Sequence, residues 1–360
     1  MKIALLAPGL LNYGGQEKVI LTHARHFQAD IYVGLYTPET TFPELKQYVK
    51  QVLCPHTHKI PRLRTLLNRK AFDKLRLEGY DAYIIYGGHA LPFAKHHKQT
   101  VWYCTSPQRW LYDLYPEEMQ TKPLMIKPLF WAFCKWLRKQ DRACAKAVGQ
   151  IVYISEYVRK KGLRYYGRDG MIVNPPVDVH RYKYLSTGNY FLSNARVDPI
   201  KRVAMIVEAF QELPEHRLKV VSTGPDLEKV KALAKDHPNI EILGRVSDDV
   251  LEQVIGNCIA TITMSYKEDF SMVTLEAQSA GKPTIAVNDG AFPEIVTPNK
   301  TGFLIEGTIK ALQSAVKIMT QDKAKKMRKA CEDGAKRFSE EKHIQGIRKA
   351  LEQVMKRAKK

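Results

Sequence analysis

Short apolar runs alternate with amphipathic stretches from Lys2 to Ile154, and beyond a Pro-Pro turn the alternation begins again. In the first half, Lys2–Ala7, Asp30–Tyr36, Asp81–Tyr86, Thr100–Cys104 and Gln150–Ile154 are rich in Ile, Val and Tyr. Gly, Pro or polar clusters bound them, so they are expected to be strands. Helical stretches such as Gln16–Gln28, Arg62–Glu78 and Lys127–Lys146 lie between them. Asn174-Pro175-Pro176-Val177-Asp178 is a stiff, turn-forming segment. After it come Tyr190–Asn194, Leu218–Ser222, Ile240–Leu243, Ile259–Met264 and Pro283–Val287, separated by helices over Ile200–Glu212, Asp226–Asp236, Asp248–Asn257 and Met272–Ala280. Strand-helix alternation implies a parallel sheet covered on both faces. Two tandem Rossmann-like, doubly wound α/β domains are therefore expected, over 1–177 and 178–338. The charged amphipathic tail 339–360 is expected to form one helix, a candidate for crossing back to the first domain. Ligands of such sheets bind beyond the carboxyl ends of the strands, so the site is expected in a cleft that the two domains face.

At roughly 150 residues per domain, 360 residues also suit two domains. With 44% hydrophobic and 26% charged residues, a disordered or collagen-like chain is excluded. The most apolar long stretch, Leu124 to Leu137, is broken by Lys127, Pro128 and Lys135, which argues against a spanning helix. Pro8, Gly9 and then Gln16-Glu17-Lys18 end the first apolar run too early for a signal peptide. Six cysteines without a C-x-x-C pair suit buried thiols in a reducing compartment. The net charge of +20 is concentrated in the first half, where residues 1–180 hold 27 basic and 14 acidic residues. Nucleic acid, an anionic membrane surface or a phosphorylated ligand would each suit that excess.

Four segments can carry chemistry. Gly14-Gly15-Gln16-Glu17 follows the first strand and opens a helix, where amides can meet an anion. It is neither a Walker loop nor a G-x-G-x-x-G. Arg196 and Lys201 flank the end of the second domain's first strand, a planar fork and a point charge that suit a diphosphate. Glu268 and Glu276 bracket the start of a helix, where two carboxylates can accept from sugar hydroxyls while first-turn amides meet phosphate. Tyr103-Cys104-Thr105-Ser106-Pro107-Gln108-Arg109-Trp110 ends a strand in an aromatic, hydroxyl-rich loop that suits carbohydrate faces, with Arg109 suited to a phosphate. His89, after another strand, is a candidate base. No Asp-x-Asp is present to bind a metal, and no metal or cofactor is expected.

The order of these segments resembles glycosyltransferase family 4, the retaining transferases of the GT-B fold. The resemblance is strongest over 190–305. Phe191-Leu192-Ser193-Asn194-Ala195-Arg196 with Lys201-Arg202-Val203 is similar to the family's strand-Arg-x4-Lys element. Ser222-Thr223-Gly224-Pro225 is similar to its Gly-Pro turn, and Gly244-Arg245-Val246 to its loop beside the nucleotide base. Glu268 to Glu276 is similar to its E-x7-E. Gly14-Gly15-x-Glu17 and Tyr103-Cys104-Thr105-Ser106-Pro107-x-Arg109 resemble a branch of mannosyltransferases that build cell-surface polysaccharides.

The resemblance implies that Arg196 and Lys201 hold the donor diphosphate with a backbone contact from Gly15. It implies that Glu276 binds ribose, that Arg245 and Val246 sit beside the base, and that Glu268 binds the transferred sugar with Phe270, Ser271, Met272 and Val273. On the acceptor side the expected residues are Gln16, His89, Tyr103, Thr105 and Arg109. Arg196, Lys201 and Glu268 are the expected catalytic residues. Two positions depart from the family pattern. Ser271 stands where many members have glycine, which alters the sugar contacts. Thr105 stands where many have histidine, and threonine is no effective proton carrier at pH 7.

The expected activity is metal-independent, retaining transfer of a hexose from a nucleotide-diphosphate sugar to a lipid-linked or membrane-proximal saccharide. GDP-mannose is favoured and a UDP-sugar is open. A nucleotide-sugar epimerase of GT-B shape would act on the donor alone. A nucleic-acid-binding protein would use the basic surface, but no recognition motif is present and no nucleic-acid partner is expected. The helix Lys127–Lys146 sets Phe130, Trp131, Phe133, Trp136 and Leu137 beside Lys127, Lys135, Arg138, Lys139, Arg142 and Lys146. That pattern suits an anionic membrane surface, hence a cytoplasmic protein held peripherally on the inner face of the membrane.

Overall fold

The computed structural model describes residues 1–55 and 63–358. Arg62 at the head of one expected helix, and Lys359 and Lys360 in the expected tail helix, lie outside the described residues. The chain forms two units, Pro175–Lys342 and, on either side of it in sequence, Met1–Asn174 with the chain from His343 onward.

In chain order, the first unit holds β1 (Ile3–Ala7), α1 (Gly15–Phe27), β2 (Asp30–Val33), β3 (Val49–Val52), α2 (Arg64–Lys74), β4 (Ala82–Tyr86), β5 (Thr100–Cys104), α3 (Tyr115–Gln120), α4 (Lys127–Ala147), β6 (Gln150–Tyr153), α5 (Glu156–Tyr166) and β7 (Met171–Ile172). The strands pair in the order β3-β2-β1-β4-β5-β6-β7, every pair parallel. β1, β4 and β5 are buried at every position, as a sheet covered on both faces requires. β3 and β7 were not expected. They are edge strands, and β3 sets exposed Lys50 and Gln51 between two half-buried valines.

The second unit holds β8 (Tyr190–Ser193), α6 (Val203–Gln211), β9 (Arg217–Val221), α7 (Leu227–Ala234), β10 (Ile240–Gly244), α8 (Asp248–Asn257), β11 (Thr261–Thr263), α9 (Met272–Ser279), β12 (Thr284–Val287), α10 (Phe292–Ile295), β13 (Gly302–Ile305), α11 (Ile309–Ile318) and α12 (Gln321–Ala335). Its parallel order is β10-β9-β8-β11-β12-β13. Phe191, Ile206, Val207, Phe210, Val220, Ile262 and Ile285 form the heart of its largest apolar core. The α/β expectation of two Rossmann-like sheets holds. In each sheet the order reverses once, between β1 and β4 and between β8 and β11. Loops leaving the carboxyl ends of strands at such points are where ligands bind in open α/β sheets. They include 8–14 and 87–90 in the first unit, and 194–202 and 264–271 in the second.

The final helix, α13 (Glu340–Ala358), carries the chain into the first unit. Ile344, Ile347, Ala350, Leu351 and Val354 recur at helical spacing and are buried. His343, also buried, stacks on His23 of α1. Its Nδ1 donates to the Asn174 carbonyl at 2.7 Å, which leaves Nε2 to accept from His23 Nε2 at 2.6 Å. The Tyr86 hydroxyl then donates to His23 Nδ1. This chain of bonds needs both imidazoles neutral. Burial, which dominates, and the neighbouring ring hold His23 well below the ordinary histidine range. Burial takes His343 down to about 4.

Candidate functional site

In the second unit, two loops converge. Past β8 the chain turns at Asp198, whose Oδ1 accepts the Lys201 amide at 2.9 Å, and α6 begins only at Val203. Lys201 therefore lies in the turn, not at the helix start expected from sequence. From there its Nζ reaches Glu268 Oε2 at 2.6 Å, across 67 positions of sequence. Tyr266 donates its amide to the Ile200 carbonyl at 2.8 Å, which ties the two loops together beside that pair. Arg202 and Lys267, next in sequence to Lys201 and Glu268, both hold left-handed backbones with φ +53° and +50°. Left-handed non-glycine residues cost stability and cluster at sites whose surroundings enforce them.

Glu268 is buried, and the chain behind it is closed by Gly290. At φ +63°, a Cβ on Gly290 would stand 2.3 Å from the Glu268 carbonyl oxygen, so glycine is required. The next amide, Ala291, donates to that same oxygen at 2.9 Å. Phe270 packs edge-on against Phe338 at 5.8 Å. Ser271 occupies the N-cap of α9, but its hydroxyl bonds the Thr274 hydroxyl at 2.9 Å and caps no amide. Met272 and Val273 form the partly buried first turn behind it.

Glu276, in the second turn of α9, is buried rather than solvated and receives the Tyr182 hydroxyl. Burial, then the Glu276 charge, pushes that phenol far up. Tyr182 belongs to a small apolar cluster with Leu192, Val221 and Val254, against which Val246 packs. Val246 thus packs on the cluster whose Tyr182 donates to Glu276, while Arg245, next to Val246 in sequence, stands exposed. Arg196 does not join the Lys201–Glu268 pair. It is exposed, three residues past β8, with Nε 3.9 Å from Asp198. Sequence reasoning gave no individual role to Tyr182, Asp198 or Gly290. Asp198, in an Asp-Pro turn, and Gly290, in an Asp-Gly pair, carried local turn signals, whereas Tyr182 carried none.

In the first unit, Gly15 starts α1 exposed, and Gln16 Oε1 accepts from the Thr105 hydroxyl at 3.2 Å. Glu17 is buried under the preceding loop, where its carboxylate accepts from the amides of Leu11 and Asn12. Burial nonetheless dominates and raises its pKa. A Cβ on Gly14 would lie 2.5 Å from Glu17 Oε2, so a side chain there would displace that carboxylate. His89 is pushed down to about 4 by burial first, then by the charges of Arg69 and Arg64. Arg69 donates to the Gly88 carbonyl at 3.0 Å and pairs with buried Asp141 at 3.3 Å. Asp141 also accepts from Gln108, Tyr112 and Tyr166, so one carboxylate braces both loops around His89. Arg109 pairs with Asp113 at 3.3 Å, and Lys161 reaches the same carboxylate at 2.8 Å.

Tyr103 corrects the sequence reading. It is fully buried, its hydroxyl donates to the Val173 carbonyl at 3.3 Å, and its ring lies edge-on to His23 and His343. On β5 it points into the interior and offers an acceptor no surface. Among the described residues no group of three or more His, Cys, Asp or Glu is placed to hold a metal ion.

Two doubly wound sheets with ligand loops at their reversal points define a fold, and solved structures share it over nearly the whole chain. Anabaena HepE in complex with UDP is 17% identical, with a TM-score of 0.75 covering 98% of this chain and 100% of that one. The apo lipopolysaccharide outer core galactosyltransferase WaaB is 19% identical, with a TM-score of 0.72 covering 98% and 99%. The fold is GT-B. Within it, residues 180–338 match the family model described as Glycosyl transferases group 1.

Curated relatives match over a smaller share of the chain. An uncharacterized glycosyltransferase of Methanocaldococcus jannaschii is 24% identical over 211 residues, 57% of this chain and 60% of that protein. A GDP-mannose-dependent monoacylated alpha-(1-6)-phosphatidylinositol monomannoside mannosyltransferase of Corynebacterium glutamicum is 26% identical over 207 residues, 49% of this chain and 54% of that protein. The chain spans about half the length of these two relatives.

Proposed function

We propose that this chain is a retaining glycosyltransferase that moves a hexose from a nucleotide-diphosphate sugar to a lipid-linked or membrane-proximal saccharide in cell-surface glycan synthesis. The observation that carries the proposal is the Lys201–Glu268 pair at 2.6 Å, set before the first turn of α9 with buried Glu276 one turn further on. An ammonium has three donors. One engages Glu268, and the others are available to the donor's phosphate oxygens. Glu268 accepts from the sugar hydroxyls while it holds Lys201 in place. First-turn amides at Met272 and Val273 meet phosphate. Glu276, oriented by Tyr182, accepts from the ribose, with Arg245 and Val246 beside the base. Exposed Arg196 swings onto the diphosphate.

Bond cleavage leaves negative charge on the diphosphate and an oxocarbenium-like sugar. Lys201, already held in place by Glu268, meets that charge with little reorganisation, and Arg196 joins it; no metal ion has a part in this scheme. In the proposed division of labour the first unit binds the acceptor through Gln16, Thr105, His89 and Arg109. His89, neutral at pH 7, orients an acceptor hydroxyl.

The mannosyltransferase among the relatives favours GDP-mannose. A second reading, a UDP-sugar, is favoured by the fold neighbour bound to UDP and glucose. Titration calorimetry with GDP and UDP, followed by transfer assays with the matching sugars, tests both. A protein that binds neither nucleotide is not this enzyme.

A further inference from the structure

The aromatic-basic helix α4 divides its side chains in a way that the sequence pattern does not reveal. Leu137 is buried, and Phe130 and Phe133 pack toward Trp110, with Tyr115 stacked on Phe130. Trp131 and Trp136 turn outward, 51% and 49% exposed. Just ahead of them, Leu124 (81%), Met125 (90%) and Leu129 (73%) stand in solvent at the helix's N-terminal end. The cations divide too. Arg138 donates to the Leu111 carbonyl at 2.8 Å and lies 4.2 Å over the Tyr115 ring, Arg142 donates to the Tyr165 carbonyl at 3.0 Å, and Lys122 pairs with Glu118 at 3.1 Å. Lys135, Lys139 and Lys146 remain on the outer face, with Lys135 5.0 Å over Trp131. From 124 to 146 the one acid is Asp141, and it is buried.

The outer face therefore runs from a bare apolar tip, through two exposed indoles, to a lysine stripe. An apolar cluster of this size left in water marks an interaction site. Tryptophan suits the boundary between headgroups and acyl chains, and lysine keeps its charge in the headgroup layer. A soluble acidic partner would account for the lysines but not for three large aliphatic side chains grouped at one end.

We infer that this face docks on an anionic lipid bilayer, tilted so that Leu124, Met125 and Leu129 enter the acyl boundary while Lys135, Lys139 and Lys146 lie on the headgroups. The inference deepens the membrane-proximal acceptor reading and rests on it for its purpose, but the docking itself needs no transfer to be observed.

Co-sedimentation of the full chain with phosphatidylcholine vesicles, with and without phosphatidylglycerol, tests it. Binding to the anionic vesicles alone is expected at low salt, falling steeply as salt rises. Lys135→Gln/Lys139→Gln/Lys146→Gln should weaken it by roughly 100-fold, at about 1 kcal/mol per lysine. Leu124→Ser/Met125→Ser/Leu129→Ser should weaken it too, and should reduce quenching of tryptophan emission by lipids brominated on their acyl chains. All six side chains are on the surface, so unchanged melting of the variants is expected.

No binding at low salt, or triple variants that bind like the parent, would overturn the inference. So would a dimer in solution that the serine variant dissolves, since the occupant would then be a second copy. Nucleotide-induced stabilisation is recorded on the same samples. Lost vesicle binding with nucleotide binding intact defeats the docking alone, and the reverse defeats the transferase alone.

Discussion

Lys201 and Glu268 are each ordinary polar residues by composition, and their distance gives them meaning. Lys201→Ala leaves Glu268 buried without its cation and removes the charge-assisted contact proposed to the leaving group. Transfer is expected to fall by about 10²–10³, the scale of one lost donor to developing charge, roughly 3–4 kcal/mol. Single-turnover kinetics with saturating donor check this, and near-normal turnover would sink the role assigned to the pair. Glu276→Ala should act differently, raising the nucleotide Kd by roughly 5- to 100-fold through loss of about 1–3 kcal/mol of buried hydrogen bonding. Tyr182→Phe should produce a smaller rise of the same kind, since it orients Glu276 and leaves the carboxylate in place. An unchanged Kd in both variants would remove the ribose assignment. Tyr103 shows where residue-level reading stops. Its neighbours Thr105 and Arg109 suggest a binding loop, but only the sheet decides which way a strand residue points.

At the scale of elements, long periodic helices and strands buried on both faces were legible, since their patterns are strong and local. β3 and β7 were not, because edge strands are short and partly polar. β13 was missed behind Gly302, which sits at φ +153° against Thr284 of the neighbouring strand. The family resemblance of the E-x7-E and Arg-x4-Lys segments pointed to the loops where the candidate site is placed. They did not identify the partnership of Lys201 with Glu268, nor the exposure of Arg196, because long-range pairs leave no mark in local pattern.

The seam between α1 and α13 carries its own expectation. His23 and His343 are neutral when folded, and in the unfolded chain they protonate near pH 6.5. Below that pH the unfolded state binds more protons, so stability is full above about 6.5 and declines toward 4, where folded His343 also protonates. His343 alone accounts for about 3 kcal/mol of that loss. Urea melts at pH 7.5 and 5 should differ in midpoint, and His343→Gln should flatten the difference. A variant with the parent's full pH dependence would show that the seam is not its source.

Considered whole, the molecule has a discontinuous first unit, with its last helix separated from the rest by the entire second unit. Four large aliphatic side chains of α13 are buried, each worth about 1.5–3 kcal/mol, which together rival the net stability of a domain. Truncation after Phe338 is therefore expected to unfold the first unit while leaving nucleotide binding by the second nearly intact. Limited proteolysis and calorimetry on the truncated chain would show this, and a first unit that resists protease would contradict it.

The position of α13 also sets the order of events on the ribosome. Strands β1 to β7 emerge early, but the helix that covers Tyr103 and seals His23 is translated only after the whole second unit. At about 5–20 residues per second, the roughly 170 intervening residues impose a wait of about 10–30 s. During that interval the nascent first unit presents an uncovered apolar groove, so it depends on chaperone shelter or on slow aggregation, whereas the second unit can fold as soon as it is made.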